Sequence, residues 1–226
     1  MSATATALRR CQPLFRRHNA TEGLSFSGSF NLNLSRVGNN TMQADGASFI
    51  IQNDGAGVNA HGGEGGNIGA YYLANALGIG FQSWSNDAAF IFTTDTFRSV
   101  SEATQNENGG NGNFSLGANP TNLISVAFSY ANDVFSFTAT NANTTQSISK
   151  SLNFDLTDLG QKVFIGFTGG TGGFSAYQNI SDFKLETSYA PTAVPGPEAG
   201  AGLGALAMGG MAMWMVRRRK ADDQRA

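Results

Sequence analysis

The side chains that most often carry out chemistry are few and scattered in these 226 residues. The histidines are His18 and His61, and the one cysteine is Cys11. Zinc needs a cluster of such ligands, so no zinc site can be assembled from them. A Ser-His-Asp device would have to use His61, in the loop Asn59-Ala60-His61-Gly62-Gly63-Glu64, and no elbow motif supplies its nucleophile. A lone loop histidine is ordinarily just solvated. Sandwich glycosidases set two carboxylates on one groove, often at alternating positions of one strand. The glutamates here are Glu22, Glu64, Glu102, Glu107, Glu186 and Glu198, and none forms a Glu-x-Glu or Glu-x-Asp-x-x-Glu pattern. Gly62 to Gly66 is glycine-dense but lacks the Lys-Ser/Thr pair and following helix of a phosphate loop. The chain therefore reads as a non-enzyme.

A site that binds a polyhydroxylated ligand makes different demands. It needs an acceptor carboxylate, a backbone N–H that can be approached closely, a side-chain amide and an aromatic platform. Asp45, the Gly62–Gly66 loop, Asn86 and Trp84 supply these types in that set. Each also has an ordinary structural explanation. Asp45 stands at the mouth of the apolar stretch Ser48-Phe49-Ile50-Ile51, and Asn53-Asp54-Gly55 closes it. Aspartate disfavours strand interiors but suits strand ends and turns, so turn chemistry accounts for both acids as well as a ligand does.

The elements that must position these residues are strands. Charged residues make up 13%, against a usual quarter, while Gly numbers 29 and Phe 17. Leu24 to Leu34 alternates, with Leu24, Phe26, Phe30, Leu32 and Leu34 on one side and Ser or Asn on the other. That is a period-two strand with one apolar face. Further strands are expected near 45–52, 68–73, 77–84, 88–94, 112–117, 122–130, 133–140, 146–154, 162–168 and 177–187. Val126, Phe128 and Tyr130, then Asn132-Asp133, then Phe135 and Phe137, form a hairpin signal. Phe154 to Gly160 suits a single helical turn or a loop. Many short strands with Gly-rich turns imply an all-β sandwich or jelly roll. A net charge of −2 and no basic face argue against nucleic acid. With Cys11 alone, no intrachain disulfide can form.

The ends differ in texture. Residues 1–22 are Arg-rich and match nothing that follows, so they are expected to be disordered or to mark a mis-started chain. Residues 23–189 form the sandwich. Residues 190–198, Ala-Pro-Thr-Ala-Val-Pro-Gly-Pro-Glu, are a Pro/Gly linker. Residues 199–216 carry no charge and precede Arg217-Arg218-Arg219-Lys220, which opens a basic cytoplasmic tail, 217–226. As a helix, 199–216 would span about 27 Å, near a hydrocarbon core of about 30 Å. A cationic cluster directly after it reads as a positive-inside stop, a single transmembrane-like helix. A flexible Gly/Ala/Met tail is the alternative.

Taken in order, "ADGASFIIQNDG", "GGNIGA", "LGIGFQSWSN" and "VFIGFTGGTGGFSAYQNISDFKLET" resemble the legume-type (L-type) lectins, and bacterial secreted relatives most closely. The resemblance covers about Phe26 to Thr187 and implies a concanavalin-like sandwich with a sugar site on front-face loops. It implies a cis Ala44–Asp45 peptide and hydrogen bonds from sugar hydroxyls to Asp45. It implies a backbone donor at Gly66, an aromatic at Trp84, and an amide at Asn86 shared by sugar and calcium. Gly169 to Ala176 resembles the last sugar loop. The family's metal strand reads Glu-Phe-Asp-x-aromatic-x-Asn, where this chain has Gly80-Phe81-Gln82-Ser83-Trp84-Ser85-Asn86. Hard cations want several oxygen ligands, and Asn86 with Asp87 makes a poor set, so no metal cofactor is expected and any calcium site is lost or much weakened. The family also carries further strands before Phe26, expected to be missing here from an edge of the back sheet. Val194-Pro195-Gly196-Pro197-Glu198, the uncharged span and the Arg cluster resemble a variant exosortase-type (PEP-CTERM-like) sorting signal. That implies a sorting protease as partner and a place in the bacterial envelope, surface or matrix.

The expectation is therefore an exported, surface-sorted lectin-like sandwich that binds glycans at Asp45, Gly66, Trp84 and Asn86. The alternative is a structural matrix or adhesion protein that keeps the fold without sugar affinity. The sequence assigns neither the sugar nor an oligomeric state.

Overall fold

Alternation at Leu24 to Arg36 becomes a thirteen-residue strand, β1, with Leu24, Phe26, Phe30, Leu32 and Leu34 buried on its inner face. The computed structural model describes residues 23–38, 43–84, 88–95, 100–102, 114–117, 121–160 and 162–189. Those residues build two antiparallel five-stranded sheets. Across the back sheet the order is β10 (Ala176–Tyr189), β1, β6 (Ile124–Ala131), β7 (Val134–Asn141) and β8 (Ser147–Asn153). Across the front sheet it is β5 (Val100–Glu102), β4 (Ala88–Thr94), β3 (Ala76–Gln82), β2 (Gly46–Gln52) and β9 (Phe164–Gly170).

Aromatic rings join the sheets. Phe49 of β2 meets Phe128 of β6 at 4.4 Å between centroids, Phe30 of β1 meets Phe167 of β9 at 4.9 Å, and Phe81 of β3 meets Phe137 of β7 at 6.3 Å. The outer face of the back sheet is polar, as the alternation requires. Its side chains bond across strands, Ser129 to Ser136 at 3.0 Å and Thr138 to Ser149 at 2.7 Å. The β6–β7 hairpin turns at Asn132 and Asp133, with φ of 51° and 59°, the double left-handed geometry of a two-residue I′ turn. Asp133 also accepts a 2.9 Å hydrogen bond from the buried Tyr130 hydroxyl.

The front sheet is buried on both faces, because a second apolar layer covers its outside. Ile50, Ile68, Ala70, Leu73, Phe90 and Phe92 form this smaller cluster. Residues 68–73, expected as a strand, belong to it as a chain of turns instead. Ile68 and Tyr72 have φ of 47° and 72°, and their neighbours bond locally, Ile68 N–H to Gly65 at 2.9 Å and Ala70 N–H to Asn67 at 2.9 Å. The apolar residues there cap a core rather than alternate along a sheet. Residues 114–117 are likewise irregular, although Phe114 and Leu116 are core residues, and 112–113 lie outside the described residues. Phe154 to Gly160 forms a short 3-10 turn at Leu156–Leu159, capped by Asp155, whose side chain accepts from Thr157 N–H at 2.8 Å.

Among the described residues no helix is long and apolar enough to cross a membrane. The expected segments at 1–22, 190–198, 199–216 and 217–226 lie outside the described residues.

Candidate functional site

β2 has an acid beyond each end, and the two acids are treated differently. Asp54, after the strand, is buried with donors on both carboxylate oxygens, one from its own turn and one from a distant loop. Its carboxylate accepts from Ala56 N–H and from Ala74 N–H, both at 2.9 Å, tying two loops together. Asp45, before the strand, is 6% exposed, and its Oδ2 is buried with no hydrogen-bond partner. Burial raises its pKa above the ordinary carboxylate value. An orphaned buried acceptor is costly, so it calls for an explanation that a turn does not provide.

The main chain fixes Asp45 firmly. Its N–H donates to Gly170 O at 3.0 Å, at the end of β9, and its carbonyl accepts from Ser83 N–H at 2.9 Å, just after β3. The Ala44–Asp45 peptide is cis. Gly46 follows with φ of 150°, and a Cβ there would collide with Phe81 O, so only glycine fits directly after Asp45.

Two glycine turns stand over the carboxylate. A Cβ on Gly65 would lie 3.7 Å from Asp45 Oδ2, and one on Gly172 would lie 2.9 Å from it and 3.7 Å from Gly65 Cα. The oxygen thus sits between the Gly65–Asn67 3-10 turn and the Thr171–Ser175 loop, where bare backbone gives close approach. Gly66 is in the same turn, and its carbonyl accepts from Gln82 Nε2 at 2.7 Å. Trp84 is 42% exposed and stacks on Phe174 of the second loop, with centroids 5.4 Å apart and planes 30° from parallel.

Of the expected residues, Asp45, Gly66 and Trp84 therefore lie on segments that meet: the β2 mouth, the glycine turn and the end of β3. Asn86 lies outside the described residues. Gly65 lies within the expected Gly62–Gly66 loop, and Gly172 and Phe174 lie within the expected Gly169–Ala176 loop, though none of the three was named singly. The glycine-rich run Gly169-Gly170-Thr171-Gly172-Gly173 was the available signal for them.

The chemistry of the strand does not fit a cation. Position 80, a carboxylate in the metal-binding pattern, is a glycine whose Cβ would lie 2.5 Å from the Phe90 ring and 3.0 Å from Ile68. Gly80 and Phe90 are register partners, so an aromatic ring fills the place a ligand side chain would need. At position 82 the amide presents an N–H donor to a carbonyl, where a cation needs oxygen acceptors. Among the described residues, no three His, Cys, Asp or Glu side chains are grouped to hold a metal ion.

No protein-family model matches the chain, and a search of curated proteins finds no match. Solved structures do match. A basic winged bean lectin with Tn-antigen aligns at a TM-score of 0.61 and 16% identity, over 80% of this chain and 78% of that one. Arcelin-5, a lectin-like defence protein from Phaseolus vulgaris, aligns at 0.60 and 16%, over 79% and 77%. A lectin from Bauhinia forficata in complex with GalNAc aligns at 0.55 and 16%, over 79% and 77%. The all-β sandwich is thus of the legume-lectin type. At these identities the likeness is one of fold.

Proposed function

We propose that this sandwich binds carbohydrate without catalysis, through Asp45, the Gly65–Gly66 turn and the Trp84–Phe174 ring pair, with Asn86 as a fourth contact. The observation that carries the reading is the buried Asp45 Oδ2, without a partner between two glycine turns. A sugar hydroxyl donates a hydrogen bond to such an oxygen, and an exposed ring pair offers an apolar face for the sugar's C–H surface. Structural neighbours captured with GalNAc and with Tn-antigen support galactose-type sugars as the first probes. A glycan array with wild type and Asp45→Ala tests this. Binding to at least one glycan class by wild type, abolished in a folded Asp45→Ala protein, is expected. Equal binding by both removes the site assignment.

The second reading is a structural matrix or adhesion protein that keeps the sandwich without sugar affinity. The misfit of the metal strand favours it. An array on which the full-length protein binds nothing would select it. For location, we propose an exported protein of a bacterial envelope, surface or matrix, held by residues 199–216 as a single span until a sorting protease acts near Val194–Glu198. Composition and the resemblance of these residues to a variant sorting signal support that proposal. Mass spectrometry of the mature surface protein tests it: a C-terminus near Glu198 is expected, and intact residues 199–226 on a surface-exposed form would contradict processing.

A further inference from the structure

We infer that Gln82 is a positioning residue: its side-chain amide fixes the glycine turn against Asp45, so the binding site keeps its shape without a bound cation. This rests on the carbohydrate reading and adds to it the device that holds the site together.

Gln82 is the last residue of β3 and the register partner of Gly46, which follows Asp45 directly. Its Nε2 donates to Gly66 O at 2.7 Å. The next residue, Ser83, grips the other wall, its N–H donating to Asp45 O at 2.9 Å and its hydroxyl to the same carbonyl at 3.4 Å. Two consecutive residues at one strand end therefore hold both sides of the cleft, Gln82 through its side chain and Ser83 through its main chain and hydroxyl. Inside the turn Asn67 Nδ2 donates to Glu64 O at 3.0 Å, and just after it Ile68 O accepts from the Ser48 and Thr168 hydroxyls at 3.3 and 3.2 Å, leaving Gly66 O for Gln82. Gly65 sits at φ of 62°, which glycine adopts freely, so what Gln82 adds is the link from the turn to the β3 end beside Asp45.

Two residues upstream, Phe90 and Ile68 fill the space above Gly80. That plug removes the second place from which an acid could reach the turn. It also supports the turn from beneath, because Ile68 closes the 3-10 turn through its N–H to Gly65 O at 2.9 Å. An apolar floor and a neutral amide tether together take the role that ionic ligands would otherwise have to fill. Such a tether is indifferent to chelators and acts through the geometry of residues 65–67.

The test uses the full-length protein, its best array glycan, and the variants Gln82→Ala and Gln82→Glu. Glutamate keeps the shape but sets an ionised acceptor against the Gly66 carbonyl. Wild type is expected to bind equally with and without EDTA. Both variants are expected to lose about tenfold in affinity, the upper end for one neutral hydrogen bond, at a nearly unchanged Tm. Hydrogen exchange at residues 65–67 is expected to speed up in both. Wild-type binding that collapses in EDTA, or a Gln82→Ala protein with wild-type affinity and exchange, would overturn the inference. If wild type binds no glycan at all, the carbohydrate reading fails. The exchange comparison then decides the tether alone, with unchanged protection at 65–67 counting against it.

Discussion

Replacing Asp45 with asparagine should stabilise this protein while disabling its site. The structure supplies the reason. Asp45 Oδ2 is buried without a partner, and burial raises the folded-state pKa above the unfolded value of 3.8. A carboxyl group with a raised folded pKa contributes stability that is fully present below the unfolded pKa. That contribution is lost as pH rises through the folded pKa. At neutral pH the native state therefore carries a cost. A buried acceptor left unsatisfied costs about 1–3 kcal/mol, with charged groups at the upper end. Asparagine has nearly the same shape and still buries an unsatisfied polar group but carries no charge, so Asp45→Asn removes the cost of the charge alone and should gain about 1 kcal/mol at pH 7, which is about 2–4 °C in Tm for each kcal/mol in a domain of this size. Urea unfolding of both proteins across the acid-to-neutral range reads the effect, since the difference between them isolates this one group. The gain should shrink as the pH is lowered towards about 4. Equal stability at neutral pH with parallel pH curves would show that the carboxylate is satisfied in solution, and the argument for a waiting acceptor would fall.

Other residues give independent checks. Gly80→Ala puts a methyl 2.5 Å from the Phe90 ring and should cost about 1–3 kcal/mol by overpacking, measured by urea unfolding. A neutral effect would mean that the plug is loosely packed. Phe128→Ala removes a ring that meets Phe49 across the sandwich at 4.4 Å, and should cost about 3–5 kcal/mol, read as a lowered unfolding midpoint. Gly172→Ala sets a Cβ 2.9 Å from Asp45 Oδ2 and should weaken glycan binding by about tenfold or more with the sandwich still folded, checked by titration calorimetry. The Tyr130 phenol pKa is pushed up to about 12, first by burial, so its ultraviolet titration should lie above the ordinary tyrosine range, with its midpoint near pH 12.

Strand positions were legible where one face is wet. β1 and the β6–β7 hairpin alternate in sequence because their outer side chains meet water and their inner ones meet the opposite sheet. Residues 68–73 misled because Ile68, Ala70 and Leu73 are apolar for a different reason: they roof a second core on the front sheet. The left-handed φ values at Ile68 and Tyr72 that turn this segment belong to residue types with no preference for them. The three-residue β5 is too short to carry a period. Asp45 and Asp54 show the same limit at the site. Both flank one buried strand and both suit a turn. What separates them is a backbone donor at Ala74, twenty positions along the chain from Asp54, and such a partner is fixed only by the folded loops. Gly80 was legible as a missing ligand, but the Phe90 ring that fills its place became visible only through the β3–β4 register.

A crystal structure with the best array glycan would show which donor, if any, Asp45 Oδ2 receives. A sugar hydroxyl is expected within about 2.5–3.0 Å of Asp45 Oδ2, giving that oxygen its missing donor, with the sugar lying against the Trp84–Phe174 pair. A glycan bound elsewhere on the sandwich, with Asp45 Oδ2 still unpartnered, would contradict it.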